Sequence, residues 1–240
     1  MNFVGVDGCR GGWLSCRVEG REAVFAVRPD FEAVWREHGD ARLLLVDIPI
    51  GLPGRLHAAR KADAEARRVL GKRHSCVFSP GVRELAGCVT YSEACKANRK
   101  LTGKKISKQY WNIKNKVESV DSFLCATPSA LRIVREAHPE VLFSLAGGGV
   151  SLPNKRTRDG QEARLAILQK FIMNIEGIVK EFLQKSPRST FGTDDALDAA
   201  ILAVAAQESR GKLRSLPDPP EQDDLGLPMA IWYHDFSSAP

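Results

Sequence analysis

A chain of 240 residues, of which 43% are hydrophobic and 27% charged, is long enough to bury one large core and has an ordinary globular composition. No apolar run approaches the roughly 18 residues that a membrane span needs, and no basic-then-hydrophobic N-terminal pattern predicts secretion. The six cysteines are scattered without a CxxC pair, which argues against a zinc site or a disulfide framework. We therefore expect reduced thiols, a cytoplasmic location and no membrane partner.

The formal charge of +6 is unevenly distributed along the chain. Residues 55–118 contain 16 Lys and Arg against 5 Asp and Glu, whereas the rest of the chain contains 19 against 24. A basic central segment flanked by slightly acidic segments indicates a polyanionic partner, and nucleic acid is the first candidate. The alternative is a solvated helical surface that is basic without binding anything.

The first predicted strand ends in an aspartate. Phe3, Val4 and Val6 form a short apolar run, typical of a strand buried on both faces, and Asp7 follows them directly. An acidic side chain at the end of a buried strand is costly unless a divalent cation, a hydrogen-bonding loop or a phosphate-binding turn compensates it. In the simpler alternative, Asp7 only caps a glycine turn.

A second apolar strand, over residues 42–47, also ends in an aspartate, Asp47. Between the two, the pattern predicts a hairpin, a third strand over residues 22–27 and a short helix over residues 31–38. Three strands, a helix and a fourth strand resemble the opening of an RNase H-type domain, in which the fourth strand lies beside the first and parallel to it. Because parallel neighbours end at the same edge of a sheet, we expect Asp7 and Asp47 to be adjacent.

Residues 55–128 interrupt this alternation and are predicted to form a basic helical insertion within a single domain of residues 1–240. Helices are predicted over residues 58–70, 91–99 and 107–123, with a lysine-rich stretch over residues 98–105. We expect this subdomain to pack over the sheet edge that carries the two aspartates.

The C-terminal part returns to an α/β pattern. It predicts a helix over residues 129–137, a fifth strand over residues 141–144 and one long amphipathic helix over residues 161–185. A last, apolar helix begins near residue 193, and residues 229–233 are predicted to form an edge strand.

The last helix supplies further carboxylates. Thr193 is a suitable N-cap, and Asp194 and Asp195 would lie in the first turn, where the helix dipole favours negative charge. That is a sufficient structural explanation for those two acids. Asp198 lies one turn later, on the same face as Asp195, and within an apolar helix it needs a partner.

Mg²⁺ or Mn²⁺ would provide such a partner, because hard divalent cations prefer carboxylate oxygens. We expect Asp7, Asp47, Asp195 and Asp198 to be the metal ligands and the catalytic acids. Two such ions about 4 Å apart can activate a water and stabilise the leaving oxygen of a phosphodiester.

Other candidate residues have two interpretations each. Glu140 is either a further ligand or base in the catalytic set, or an exposed acid in a turn. Arg10, Arg73, Lys105 and Lys155 either contact nucleic-acid phosphates or are ordinary surface charges.

Several motifs together resemble the DUF429 family, whose members are described as predicted RNase H-like nucleases. They span residues 5 to 226 and are Gly5-Val-Asp-Gly-Cys-Arg-Gly-Gly-Trp13, Asp47-Ile-Pro-Ile-Gly-Leu52, Arg60…Asp63…Arg67…Gly71, His138-Pro-Glu140, Lys155…Thr157…Gly160, Asp194-Asp-Ala-Leu-Asp-Ala199 and Leu216-Pro…Asp224-Leu-Gly226. The resemblance implies an α/β, RNase H-like mixed sheet flanked by helices, with Asp7, Asp47, Asp195 and Asp198 at its site. The acids before Ala199 are also similar to the last catalytic helix of RuvC-type resolvases.

These patterns predict a metal-dependent nuclease that hydrolyses phosphodiester bonds by two-metal-ion catalysis. Two other classes stay open. The first is a nucleotide-binding or phosphotransfer protein of actin-like ATPase type, because Asp7-Gly8 before further glycines resembles a phosphate loop. The second is a non-catalytic nucleic-acid-binding protein that keeps the fold without turnover.

Overall fold

The chain alternates strands and helices, and the computed structural model describes residues 2–185 and 190–237 of it. Within these residues the strands are β1 (Phe3–Cys9), β2 (Gly12–Glu19), β3 (Glu22–Arg28), β4 (Leu43–Asp47), β5 (Val134–Glu136), β6 (Arg214–Gln222) and β7 (Pro228–Tyr233). The α-helices are α1 (Phe31–His38), α2 (Lys61–Leu70), α3 (Tyr91–Thr102), α4 (Lys108–Ala126), α5 (Pro139–Ala146), α6 (Arg158–Leu168), α7 (Ile175–Lys185) and α8 (Thr193–Ser209). Short 3₁₀ turns cover Gly71–Cys76, Arg83–Gly87 and Pro128–Arg132.

Five strands form a mixed sheet in the order β3-β2-β1-β4-β5. The β1–β2 and β2–β3 pairs are antiparallel, whereas β1–β4 and β4–β5 are parallel. The sequence prediction of an α/β fold with a mixed sheet, and of a fourth strand parallel to the first, is therefore confirmed. The residues of β1 and β4 are almost all buried, as expected for central strands covered on both faces.

Helix α8 is the central helix against this sheet. Residues 196–206 are buried on every side of it, and most of them are Ala, Leu, Ile or Val. Its side chains share one apolar cluster with Phe3 on β1, Leu14 on β2 and Leu45 on β4. A helix that is apolar all round belongs in the core, so the absence of a polar face in its sequence explains its position.

Contacts divide the chain into two compact units. The first consists of Met1–Ile48, Ala130–Arg214 and Trp232–Pro240 and contains the five-stranded sheet with helix α8. The second consists of Pro49–Ser129 and Ser215–Ile231 and contains helices α2, α3 and α4.

An ion-pair network lies inside the second unit. The Arg83 guanidinium lies 2.7 Å from Asp121 and 2.5 Å from Asp223. Asp223 also accepts a hydrogen bond of 3.0 Å from the backbone N–H of Leu52. These contacts join the segment after β4 to α4 and to the loop between β6 and β7, which are distant in sequence. The predicted helices of this region correspond to α2, α3 and α4, with ends that differ by a few residues.

The predicted fifth strand was wrong in position. Residues 141–144 belong to helix α5, because His138 accepts a hydrogen bond from the N–H of Glu140 and Pro139 occupies the first turn. Proline suits that position, since its missing N–H would have no partner in the helix. The fifth strand is β5, within the stretch for which we predicted a helix, and it pairs with β4.

The predicted long helix over residues 161–185 is interrupted. Helix α6 ends at Leu168 and α7 begins at Ile175. Between them Asn174 has a φ of 53°, a left-handed conformation that asparagine tolerates better than most residues. The N–H of Met173 donates to the carbonyl of Arg21 at 2.9 Å, so this break is tied to the β2–β3 turn.

The predicted edge strand at residues 229–233 is part of β7, which pairs with β6 in a separate two-stranded sheet. Strand β6 was missed because it contains three prolines, which normally exclude a central strand. All six cysteines are free thiols, as their spacing predicted. Among the described helices, none has the length and hydropathy required to cross a bilayer.

Candidate active site

Asp7 and Asp47 are direct neighbours across the parallel β1–β4 pair. Adjacent strands lie about 4.8 Å apart, so the two carboxylates start from neighbouring backbone positions. Side chains alternate between the faces of a strand, and Phe3 and Leu45 lie on the face covered by α8. Asp7 is four residues after Phe3 and Asp47 is two residues after Leu45, so both acids are directed to the α8 face.

Helix α8 approaches this part of the sheet closely because of Gly5. A Cβ atom at that position would overlap the carbonyl oxygen of Ala199 and the backbone nitrogen of Ala203. The absence of a side chain at Gly5 therefore lets the helix backbone contact β1. Asp198 precedes Ala199 directly, and it is buried with 1% of its surface exposed.

The first turn of α8 differs from the prediction in one detail. The N-cap is Gly192 and not Thr193, which is the first residue of the helix. Asp195 caps this end, since its Oδ2 accepts a hydrogen bond of 2.8 Å from the N–H of Gly192. Asp194 and Asp195 lie in the first turn, as predicted.

Four carboxylates at this place, those of Asp7, Asp47, Asp195 and Asp198, have raised pKa values. Burial raises the pKa of Asp7 well above its usual value, and the charges of Asp47 and Asp198 raise it further. Burial also raises the pKa of Asp47, and it raises that of Asp198 to about 7. Burial likewise raises the pKa of Asp195, although the hydrogen bond from the N–H of Gly192 lowers it in part. A cluster of buried acids with raised pKa values is typical of a functional site.

A lysine supplies the positive charge at this cluster. The Lys155 ammonium lies 2.5 Å from Oδ2 of Asp198. Burial alone would lower the pKa of Lys155, but the charges of Asp198, Asp7 and Asp47 outweigh it and raise the pKa above its usual value. The sequence left Lys155 as either a phosphate contact or a surface charge, whereas in this structure its ammonium is bound to an acid of the site.

The loop that carries Lys155 is anchored by Arg164. This guanidinium is completely buried and donates 3.0 Å to the carbonyl of Pro153 and 2.8 Å to that of Gly160. Its third hydrogen bond, of 2.7 Å, goes to Glu140. Arg164 thus connects the loop before α6 to the first turn of α5.

Glu140 is not an exposed turn acid. It is buried at the start of α5, and its carboxylate forms an ion pair with Arg164. Its charge still reaches the site, because it contributes to raising the pKa of Asp47 and of Asp198. Glu140 therefore acts on the acid cluster from a neighbouring position.

The other predicted phosphate contacts are more dispersed. Arg10 is exposed in the β1–β2 turn, and its charge lowers the pKa of Asp195, although burial outweighs this effect. Arg73 and Lys105 belong to the second unit. There Arg73 contacts Cys76 at 3.5 Å, and Lys105 is exposed.

Sequence reasoning missed the roles of Arg164 and His138. Arg164 lies three residues before Ile167 and four before Leu168, both of which are buried, so it falls on the apolar side of α6. A charged residue at such a position indicates a buried ion pair. His138 caps α5, and its charge counteracts the effect of burial on the pKa of Asp47. No local signal connects His138 to Asp47, because the two residues lie far apart in sequence and interact only electrostatically, through the fold.

The donor chemistry of the site suits a hard divalent cation, since its ligands would be carboxylate oxygens. Oδ1 of Asp198 is buried and finds no hydrogen-bond partner among the described residues. However, within residues 2–185 and 190–237 no three acidic, histidine or cysteine side chains are arranged to hold one ion together. The nearest cation to Asp198 is the ammonium of Lys155.

The fold and the site define an α/β protein with a buried acidic centre at the ends of two parallel strands. The family model described as "Protein of unknown function (DUF429)" matches residues 5–222, and the chain belongs to this family. No significant match is found among curated proteins or among solved structures.

Arg164→Met is expected to lower the free energy of unfolding by about 3–5 kcal/mol, because it removes the guanidinium from a buried ion pair with Glu140. Urea unfolding measures the difference. Arg158→Met is the matched control on the same helix: its ion pair with Glu162 is exposed, so the free energy should hardly change. Equal stability of the two variants would contradict the anchoring role of Arg164.

Proposed function

We propose that this protein is a metal-dependent nuclease of RNase H-like fold that hydrolyses phosphodiester bonds in nucleic acid. One observation carries the proposal. Carboxylates from β1, β4 and α8 lie close enough to raise the pKa of Asp7, two of the three are buried, and an oxygen of Asp198 has no hydrogen-bond partner among the described residues. Burying several acids together is costly, and proteins accept that cost mainly where function requires it.

The sheet supports the RNase H-like part of the proposal. Three antiparallel strands followed by two parallel ones, in the order β3-β2-β1-β4-β5, agree with the arrangement expected from the sequence. The acids at the ends of β1 and β4 and on α8 occupy the positions that the resemblance implies. Fold alone does not define an activity, so the acids are the feature that supports nuclease activity.

Asp7, Asp47 and Asp198 are the acids that would hold Mg²⁺ or Mn²⁺, with Asp195 beside them, although among the described residues they are not arranged to hold one ion together. A bound divalent cation would lower the pKa of a water and stabilise charge on the phosphate. The fold positions these acids. The register of the β1–β4 pair sets the spacing of Asp7 and Asp47, and the contact of Gly5 with α8 positions Asp198. Lys155 and Arg10 would add positive charge beside the phosphate.

Helices α3 and α4 support nucleic acid as the partner. Residues 91–116 contain eight Lys and Arg and one Glu, and most of these lysines and arginines are exposed. Such a density of positive charge favours a phosphate backbone and makes binding depend strongly on salt. The six free thiols agree with a reducing compartment, and we propose a cytoplasmic location.

Cleavage of labelled DNA, RNA and DNA–RNA hybrid, single- and double-stranded, with Mg²⁺ or Mn²⁺ tests the proposal. We expect cleavage of at least one substrate, abolished by chelator and by Asp198→Asn. Asp159→Asn is the matched control, because this acid is exposed in the first turn of α6 and belongs to no acid cluster.

Two outcomes would favour other functions. Stabilisation by ATP with Mg²⁺, but not by oligonucleotides, would indicate a nucleotide-binding or phosphotransfer protein. Salt-dependent binding of nucleic acid with no cleavage under any of these conditions would indicate a non-catalytic binding protein.

A further inference from the structure

The exposed face of α3 and the turn after it carry a group of uncompensated positive charges. Arg99 and Lys100 lie three and four residues after Lys96, so these three side chains share one exposed face of the helix. Lys104 and Lys105 follow in the exposed turn before α4. Among the described residues, none of the five has an ion-pair partner. We call these five residues the basic face.

Charges on an ordinary solvated helix are usually paired with charges of the opposite sign. On α6, for example, Arg158 lies 2.6 Å from Glu162, one turn away. The sequence of residues 91–116 contains a single acid, Glu93, and its carboxylate accepts a hydrogen bond of 3.2 Å from the N–H of Thr90 at the opposite end of α3. The basic face is therefore not neutralised from within this segment, which favours an anionic partner.

The turn that carries two of these lysines has a fixed backbone. Asn98 is buried, and its amide donates 2.9 Å to the carbonyl of Lys104. The hydroxyl of Tyr91 donates 2.9 Å to the carbonyl of Ile106. These two bonds hold the backbone on both sides of Lys105. A backbone that is already ordered loses less entropy when a ligand binds.

An aromatic pair lies beside the same turn. The rings of Tyr91 and Trp111 meet edge to face, with their centroids 5.9 Å apart, and the ammonium of Lys108 lies 3.9 Å from the Tyr91 centroid. Trp111 is only half-buried, so part of its indole is open to solvent. Aromatic rings next to cations are the combination that binds single strands, because the rings stack on unpaired bases while the cations contact phosphates.

We propose that the basic face and Trp111 together bind a single strand of nucleic acid, with phosphates on the five cations and one base stacked on the indole. This inference rests on the proposed nuclease function for its substrate, and it specifies the strand form and the surface that binds it. The bases of a duplex are stacked on one another and cannot stack on Trp111, so a duplex would use the cations alone. All of these residues belong to the second unit.

Binding of labelled oligonucleotides to the full chain in chelator, measured by fluorescence anisotropy, tests this assignment without cleavage. The probes are oligo(dT), oligo(U) and the corresponding DNA and RNA duplexes, each of about 20 nucleotides, which is longer than a typical single-strand site. We expect at least one single strand to bind about 10-fold more tightly than its duplex. The comparison of oligo(dT) with oligo(U) shows whether the strand is DNA or RNA.

Two kinds of variant test the contribution of each feature. The double variant Lys104→Gln, Lys105→Gln should reduce the slope of log affinity against log salt by about 1.4, since each phosphate contact to a single strand contributes about 0.7. Lys170→Gln with Lys180→Gln removes the same charge from exposed positions of the first unit and should leave the slope unchanged.

Trp111→Leu should weaken single-strand binding about 10-fold and leave duplex binding unchanged, because it removes the stacking surface. Trp111→Phe keeps an aromatic ring and should retain most of the affinity. The melting temperature of each variant shows whether it is folded. If Trp111→Leu does not fold, the preference of the wild type for single strands and the salt slope of the lysine variants still decide.

The outcomes separate this inference from the proposed function. Equal or tighter binding of duplexes, or an unchanged salt slope in the double lysine variant, would overturn the single-strand surface and leave the nuclease proposal intact. The expected binding without cleavage in Mg²⁺ or Mn²⁺ would support the surface and exclude the nuclease function. Absence of binding to every probe would overturn both.

Discussion

Asp7→Asn is expected to abolish cleavage and at the same time to raise the melting temperature of the protein. Asp7 is 7% exposed, and burial and the charges of Asp47 and Asp198 oppose its ionisation. Asparagine has nearly the same shape without the charge, so the repulsion disappears. We expect a gain of about 1–2 kcal/mol, which is typical when a functional site is relieved of an unfavourable group. For a chain of this size that corresponds to roughly 3–6 °C.

The cleavage rate of the same variant should fall by more than about 100-fold. Even the removal of a group that only contacts a metal ligand typically lowers metal affinity or activity by about 10–100-fold. Calorimetry in the presence of chelator gives the stability, and the nucleic-acid assay with Mn²⁺ gives the activity. Asp40→Asn is the control, because Asp40 is exposed in the loop before β4. A variant that is both less stable than wild type and fully active would contradict the assignment of Asp7 to the site.

The stability gain of Asp7→Asn should also depend on pH. A carboxyl group whose pKa is raised in the folded state favours folding while it is protonated, and this contribution is lost as pH rises from the usual aspartate range through the raised pKa. Asparagine does not titrate. In chelator, the difference between variant and wild type should therefore be larger at pH 8 than at pH 5, as measured by urea unfolding. A difference that shrinks with rising pH would contradict the burial of an ionised Asp7.

Gly5→Ala is expected to cost about 3 kcal/mol in the free energy of unfolding and to disrupt the site. The new Cβ would meet backbone atoms of Ala199 and Ala203 and would lie 2.6 Å from Cβ of Leu202. Backbone atoms of a buried helix cannot rotate away, so α8 has to shift from β1, and overpacking of this kind is costly. Asp198, next to Ala199, would move away from Asp7.

Urea unfolding and Mn²⁺ titration measure the two consequences of Gly5→Ala. Gly87→Ala is the matched control, because a Cβ there would meet nothing within 4 Å. We expect the control to behave like wild type in both measurements. A stable Gly5→Ala variant that binds Mn²⁺ normally would show that the close approach of α8 to β1 is not what positions Asp198.

The candidate site contains charged groups that lower the stability of the fold. The acid cluster destabilises the fold while it is ionised, and Lys155 offsets part of that cost at a distance of 2.5 Å from Asp198. The Arg164–Glu140 pair is likewise buried, and breaking it is expected to be costly. Both features serve the same place, the loop before α6 and the acids that it faces.

The local sequence determined the central strands and the candidate acids. The apolar runs of β1 and β4 are strong signals because both strands are buried on both faces, and each ends in an aspartate. Helix α8 was equally clear, since its small apolar residues have no polar side. Parallel pairing of β1 and β4 then followed from the order of the elements, and with it the proximity of Asp7 and Asp47.

Only the tertiary structure decided what compensates those acids. Lys155 and Asp198 are 43 residues apart, and Arg164 and Glu140 are 24 apart, so no local pattern predicts either pair. The short strand β5 was misread for a related reason: it forms because β4 offers a partner, although its own three residues have no strong preference. Periodicity records which face of an element is buried, whereas the partner of a buried charge depends on how distant segments meet.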